Sequence, residues 1–245
     1  MSDLKGKHAV VTGGGRGIGR AIADALATQG AKVSIVSRNA ESSDAPYFKA
    51  NADVTNQQQI DQAFNLARDE NGTIEILINN SGVAESAAIR RTGRAMWDRI
   101  IATNLTGPFL CTQAVVQGMM DQKWGRIVNI ASIAGLHGSA YLTAYTASKH
   151  GVVGMTRALA DELEQYGITV NAICPGYVET DMLDLAIDST VASTGMTAEQ
   201  ARKKLAQMNP EGRIVKPEEV ASAVVDYCTS LMNGQAMILP GGAIA

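Results

Sequence analysis

Short apolar, β-branched runs alternate with longer stretches of helical periodicity along almost the whole chain. HAVVT (8–12), KVSIVS (32–37), IEILIN (74–79), RIVNIA (126–131), ITVNAI (168–173) and AMILP (236–240) read as buried strands. Between them the spacing predicts helices over 18–29, 56–69, 96–122, 141–166 and 217–231. Strands separated by helices do not close as hairpins. They form βαβ units, whose parallel sheet is buried under helices on both faces. Right-handed crossovers then lead to a doubly wound α/β fold. Composition never shifts enough to mark a linker and no internal repeat is present, so residues 1–245 read as a single domain.

Bulk properties exclude several classes. Net charge is −3, from 21 basic against 24 acidic residues, which gives no support for nucleic-acid or anionic-membrane partners. Cys111, Cys174 and Cys228 are far apart in sequence, without metal-ligand spacing, so no metal is expected. Cys111 and Cys174 sit inside apolar runs and read as buried reduced thiols. MSDLKGKHAVV passes directly from polar residues into a strand-like run, so no signal peptide is expected. No apolar run reaches the ~18 residues of a membrane span. A cytoplasmic protein is the resulting expectation.

The polar segment 182–209 breaks the alternation. It is rich in Met, Asp and Thr, and Thr197 with Gln200 three residues later forms a capping-box pattern. It follows a strand end, where open α/β sheets bind their ligands. It reads either as a helical substrate lid or as a surface helix pair that only covers the sheet.

After the first strand comes TGGGRGIGRAIADAL, with glycines at 13, 17 and 19 where a strand passes into a helix. Glycines there allow a tight turn and the close approach of a phosphate, and the helix start turns its amides and positive dipole end toward the anion. Gly13, Gly15, Arg16, Gly17, Ile18 and Gly19 are therefore candidate dinucleotide contacts. KVSIVS ends in Ser37-Arg38, where many such folds carry an acid for the ribose 2′-hydroxyl. Arg16 and Arg38 near the ribose suit a 2′-phosphate, which favours NADP(H) over NAD(H). Asp53 and Val54, in NADV, fall where the adenine lies. Asp53 is suited either to the adenine amino group or to capping its own turn.

In AYTASKH a tyrosine and a lysine stand four residues apart, on one face of a helix. A phenol and an ammonium held together read as a proton donor with its tuning charge, or as a structural contact. TGGGRGIG, NNSG (79–82), Asn104 in NLTG, Ser132 in NIAS, Tyr145-x3-Lys149 and PGYVET (175–180), in that order, resemble the short-chain dehydrogenase/reductase family. The resemblance implies a Rossmann-like, mostly parallel seven-stranded sheet. It also implies a catalytic tetrad of Asn104, Ser132, Tyr145 and Lys149. Tyr145 would be the general acid. Lys149 would lower the phenol from its ordinary ~10, and both residues would contact the cofactor, Lys149 at the nicotinamide ribose. Ser132 would hold the substrate oxygen, and Asn104 would hold a water behind the lysine. Asn80, Gly82, Pro175, Gly176, Val178 and Thr180 would line the cofactor cleft, with Thr180 on the carboxamide. Two positions depart from the family pattern: NNSG replaces NNAG, and Pro240 replaces an acid near the chain end.

TASKHGVVGMTRAL and GITVNAICPGYVETDM are similar to 3-oxoacyl-acyl-carrier-protein reductases, polyketide ketoreductases and hydroxybutyrate dehydrogenases. Substrate residues by the same resemblance are Ala84, Leu136, Ala140 and Met182, which are small or apolar and suit a mostly apolar ketone. Arg126 matches one carrier-docking arginine, whereas Tyr166 stands where a second would be expected. Arg90, Arg91 and Arg94 are candidates for a CoA or carrier phosphate, and His137 for a free carboxylate. The leading expectation is an NADP(H)-dependent reductase of 3-oxoacyl thioesters or related ketones, assembled as a homotetramer. An NAD-dependent 3-hydroxy acid dehydrogenase is the alternative, and a non-catalytic dinucleotide sensor is a further one.

Overall fold

The computed structural model describes residues 4–239. Pro240, with the departure noted there, lies outside the described residues. Seven strands form one sheet: β1 (His8–Thr12), β2 (Lys32–Ser37), β3 (Phe48–Asn51), β4 (Ile76–Asn79), β5 (Gly125–Ile130), β6 (Ile168–Pro175) and β7 (Ala236–Leu239). Their order is β3-β2-β1-β4-β5-β6-β7, and every neighbouring pair is parallel. β3 was not among the apolar runs. Its sequence is FKAN, only Ala50 is buried, and it is an edge strand, so its hydrophobic pattern is weak.

Strand alternation sorts side chains to two faces even though β1 and β4 are buried throughout. Ala9, Val11, Ile76 and Ile78 join one core cluster, with Ile22 and Leu26 of α1 (Gly17–Thr28) and Val220, Val224 and Tyr227 of α8 (Pro217–Thr229). Val10 and Leu77 face the other cluster, with Phe64 of α2 (Gln57–Asn71), Val115 of α4 (Gly107–Gln122) and Leu163 of α5 (Thr143–Leu163).

The helix expected over 96–122 is two helices. α3 (Arg94–Ile101) runs into a π-helical turn over Ala102–Thr106, and α4 follows. Gly107 makes the junction possible. A Cβ there would lie 2.9 Å from Val54 Cγ2 and 3.1 Å from the Val54 carbonyl oxygen. The helix expected over 141–166 starts at Thr143, because Tyr141 sits in the left-handed region at φ 66°, and it ends in a 3-10 turn over Glu164–Tyr166.

Residues 182–209 lie largely within α6 (Asp181–Thr194) and α7 (Ala198–Gln207). Thr197 and Gln200 make the reciprocal capping box. Leu183 and Ile187 of α6 pack on Ala201 and Leu205 of α7 in a small core of their own, apart from the sheet clusters.

Strand order reverses between β1 and β4. Such a reversal is where open α/β sheets bind their ligands, at the carboxyl ends of the strands. The glycine turn, NNSG, Ser132 and PGYVET all follow strand ends on this side.

Candidate active site

The glycine turn is a cradle that side chains would fill. A Cβ on Gly19 would lie 2.2 Å from the Gly13 carbonyl oxygen, so α1 can start this close to β1 only without one. Gly13 and Gly17 adopt φ of 66° and 53°, backbone that disfavours other residues. Thr12 fixes the turn to β4: its hydroxyl donates to the Ile78 carbonyl and accepts from the Asn80 and Ser81 amides. Asn80 Nδ2 donates to the Thr12 carbonyl at 2.9 Å. This open, amide-lined cradle fits a dinucleotide pyrophosphate. Ile18 follows, packed against the sheet core.

Ser37 ends β2 half-buried, and Arg38 is exposed beside it. Arg16 is also exposed, and its guanidinium donates to the Asp181 carboxylate at the start of α6. Asp53 caps its own turn, with Oδ1 accepting from the Thr55 amide at 2.9 Å and hydroxyl at 2.7 Å. Burial alone would raise its carboxyl, but these bonds and the charge of Arg38 hold it below the usual range. Val54 is buried against Gly107.

Tyr145 and Lys149 project from the first half of α5, and Ser132 follows β5. Lys149 is 5% exposed, which removes the reading of an ordinary surface lysine. Its Nζ donates to the Ile130 carbonyl at 2.7 Å and lies 5.7 Å from the Tyr145 ring centroid. The Ser132 hydroxyl lies beside the Tyr145 phenol, where it favours the phenolate. The same hydroxyl accepts from the Ala134 amide at 3.1 Å, so Ser132 also caps the 3-10 turn Ile133–Gly135. A Cβ on Gly82 would lie 3.5 Å from Asn104 Oδ1 and 3.8 Å from Lys149 Nζ, so Gly82 keeps open the space between them. Asn104 is clamped from both sides. Its Oδ1 accepts from the Val83 amide, and its Nδ2 donates to the Val83 carbonyl and to Ser148 Oγ.

The expected lowering of Tyr145 by Lys149 is absent from the free chain. Burial pushes the phenol above its ordinary 10, and the neighbouring Ser132 hydroxyl opposes this only in part. The physical reason is that Lys149 directs its ammonium at the Ile130 carbonyl rather than at the phenol. Burial also lowers Lys149 itself, to about 8.

On the far wall, Pro175 ends β6 and Gly176 meets Asn209, just past α7. A Cβ on Gly176 would lie 2.1 Å from Asn209 Oδ1. Asn209 accepts from the Tyr177 amide and donates to the Tyr177 and Arg213 carbonyls. Val178 is buried and pairs with Val215, and the Thr180 hydroxyl donates to the Val178 carbonyl. Ala84, Ala140 and Met182 are exposed, whereas Leu136 is half-buried and packs on the core beside Val152 and Val153.

Arg126 is not a docking group. It is 2% exposed, stacks on Trp124 and donates to the Gly125 and Gly167 carbonyls. Tyr166 is packed on the core. Arg90 and Arg91 are exposed, Arg94 pairs with Asp98, and His137 is exposed in its loop. Thr12, Val83, Ser148 and Asn209 were missed in the sequence. Only Thr12, the first residue of the TGGG turn, carried a usable pattern. The others act through contacts between distant segments. Among the described residues, no cluster of three or more metal-binding side chains is present, and no helix is long and apolar enough to cross a membrane.

The sequence profile of the family described as short chain dehydrogenase matches residues 7–190. The chain is 39% identical over 233 residues to D-beta-hydroxybutyrate dehydrogenase of Cupriavidus necator, covering 91% of this chain and 90% of that one. It is 37% identical over 250 residues to 3-oxoacyl-[acyl-carrier-protein] reductase FabG of Vibrio cholerae, covering 98% of each. Its fold matches that of a single-substitution variant of actinorhodin polyketide ketoreductase with NADPH, with TM-score 0.91, 34% identity and 96% of each chain covered.

Proposed function

The chain belongs to the short chain dehydrogenase family and is an oxidoreductase of nicotinamide dinucleotides, and from that premise we propose that it reduces mostly apolar ketones, 3-oxoacyl thioesters or close relatives, with NADP(H). The observation that carries this reading is the placement of the Ser132 hydroxyl beside the Tyr145 phenol, with the buried Lys149 behind them. A bound reduced nicotinamide supplies hydride to the carbonyl carbon. Tyr145 gives its hydroxyl proton to the carbonyl oxygen, and a secondary alcohol results. Ser132 donates to the same oxygen and holds it in line for that proton. Lys149 stabilises the phenolate left behind and returns a proton to it, and its own proton is replaced from the space kept open by Gly82, where Asn104 lies. Gly13, Gly15, Gly17, Ile18 and Gly19 hold the pyrophosphate, with Asn80 and Gly82 beside the ribose. Pro175, Gly176, Val178 and Thr180 hold the carboxamide end, and Ser37, Asp53 and Val54 line the adenine side. Arg16 and Arg38 take the 2′-phosphate.

The apolar substrate class rests on Ala84, Leu136, Ala140 and Met182, with Met182 and Leu185 exposed on the lid helix α6. Burial of Arg126 argues against a carrier docked there, so a free or CoA-linked thioester is the better substrate. Self-association into a tetramer belongs to the same reading. Trp97 of α3 and Phe109 of α4 are exposed apolar residues suited to a helix–helix interface.

A second reading, an NAD-dependent 3-hydroxy acid dehydrogenase, is favoured by the relative from Cupriavidus necator. One steady-state screen separates the readings, using 3-oxoacyl thioesters, free 3-oxo acids and aryl ketones with each cofactor. The first reading expects the highest kcat/KM for a thioester or aryl ketone with NADPH. A preference for free 3-oxo acids with NADH would establish the second instead. No turnover on any ketone would leave a dinucleotide-binding sensor.

A further inference from the structure

The glycine turn and the lid helix touch through two adjacent pairs of residues. Arg16 donates to the carboxylate of Asp181, the first residue of α6. One position along, a Cβ on Gly17 would lie 3.2 Å from Thr180 Cγ2. Both partners of the ion pair are largely exposed, with side chains 82% and 71% accessible. An exposed pair exchanges readily and is easily displaced by a stronger anion. Asp181 loses little when it is released, because it sits in the first turn of α6, where the helix dipole favours a carboxylate. The base of the lid is also held from its other side, where Arg202 of α7 pairs with Glu179.

Resting on the reading of Arg16 as a 2′-phosphate group, we propose that Asp181 competes with that phosphate for Arg16. Cofactor choice and the seating of the lid helix are then one equilibrium. A phosphate monoester carries about −1.5 to −2 charges near neutral pH and takes the guanidinium fork in bidentate fashion. NADP(H) therefore draws Arg16 off Asp181 and frees the start of α6, while Arg202–Glu179 keeps α7 in place. NAD(H) makes no such demand and leaves the pair closed. Asp181 thus restrains the preference for NADP(H) that the two arginines create.

Calorimetric titration of the wild type, Asp181→Asn, Arg16→Ala and the double variant tests this. The probes are NADPH, NADH, adenosine 2′,5′-bisphosphate and 5′-AMP. Asp181→Asn is expected to tighten NADPH and the bisphosphate about two- to fivefold, the range of an exposed pair. NADH and 5′-AMP should not change, and the gain should vanish when Arg16 is alanine. Amide hydrogen exchange at the start of α6 should quicken with the bisphosphate and not with 5′-AMP. An unchanged NADPH-to-NADH affinity ratio in Asp181→Asn overturns the proposal, as does a gain that persists without Arg16. If Arg16→Ala weakens NADPH while Asp181→Asn does nothing, the competition alone is wrong and the cofactor reading stands. If Arg16→Ala leaves NADPH affinity at the wild-type value, Arg16 is not a phosphate group and the proposal falls with that reading.

Discussion

The side-chain amide of Asn104 donates to the hydroxyl of Ser148 at 3.1 Å, and that hydroxyl donates to the Tyr145 carbonyl at 2.7 Å. This relay ties the π-helical turn to the stretch of α5 that carries Tyr145. Ser148 is wholly buried, and the other Asn104 amide bond goes to the Val83 carbonyl. Ser148→Ala therefore leaves a buried N–H without its partner, at about 1–3 kcal/mol. The melting temperature should fall by several degrees. The kcat should fall about tenfold while KM for the cofactor stays within about twofold, because the glycine turn is untouched. Unchanged kcat and stability would show that Ser148 positions nothing.

Gly19→Ala probes the turn itself. The added methyl would meet the Gly13 carbonyl at 2.2 Å and Asn80 Nδ2 at 2.5 Å, and the first of these is backbone and cannot rotate away. Strand β1 and α1 must part, at about 1–3 kcal/mol for an overpacked contact. Affinity for either nicotinamide dinucleotide should drop at least about tenfold. Gly72→Ala is the control for glycine loss in general, since a Cβ there meets nothing within 4 Å, although its φ of 88° brings strain of its own. Equal cofactor affinity in Gly19→Ala and the wild type would refute the cradle.

Much of this was legible in the chain because the strands are short apolar runs and the site residues stand at strand ends with distinctive spacing. HAVVT and ITVNAI coincide with β1 and most of β6. β3 left no apolar run to read, because it is an edge strand with one buried residue. The π-helical turn was invisible for another reason. ATNLT continues the helical periodicity, and the turn is followed by a close approach of Gly107 to Val54, which is distant in sequence. Arg126 misled because a sequence match carries the residue type without its burial. Asn209 reaches Gly176 from a distant part of the chain, a contact that only the fold creates.

Lys149 should write its burial into the pH dependence of stability. Its pKa falls from 10.5 in the unfolded chain to about 8 in the folded one. Between those values the unfolded state holds the proton and the folded state has released it. Stability therefore rises with pH across that window, by roughly 3 kcal/mol at its upper end relative to neutral pH. Below pH 8 the charged ammonium remains buried and the penalty is in full force. Lys149→Met removes the titration, so the wild-type stability relative to this variant should climb from pH 8 to 10. Urea unfolding of both proteins at a series of pH values measures it. A difference that stays flat over the window would mean that the ammonium is not desolvated as the fold implies.

Tyr145 gives the complementary test, because its phenol moves the other way. Burial raises it above 10 in the free protein, so tyrosinate absorbance assigned by difference against Tyr145→Phe should appear only above that pH. A cofactor with a positively charged nicotinamide ring favours the phenolate, so saturating NADP⁺ should move the same ionisation toward neutral pH. The rate of alcohol oxidation should then rise along that shifted titration rather than along the one seen in the free protein. Tyr145→Phe should lose about 10²–10⁴ of kcat while still binding both cofactors, since the glycine turn that holds most of the dinucleotide is untouched. Retention of kcat in a folded, cofactor-binding Tyr145→Phe protein would remove Tyr145 as the acid. A phenol that titrates near 7 without cofactor would instead show that Lys149 tunes it alone, despite the ammonium being held by the Ile130 carbonyl.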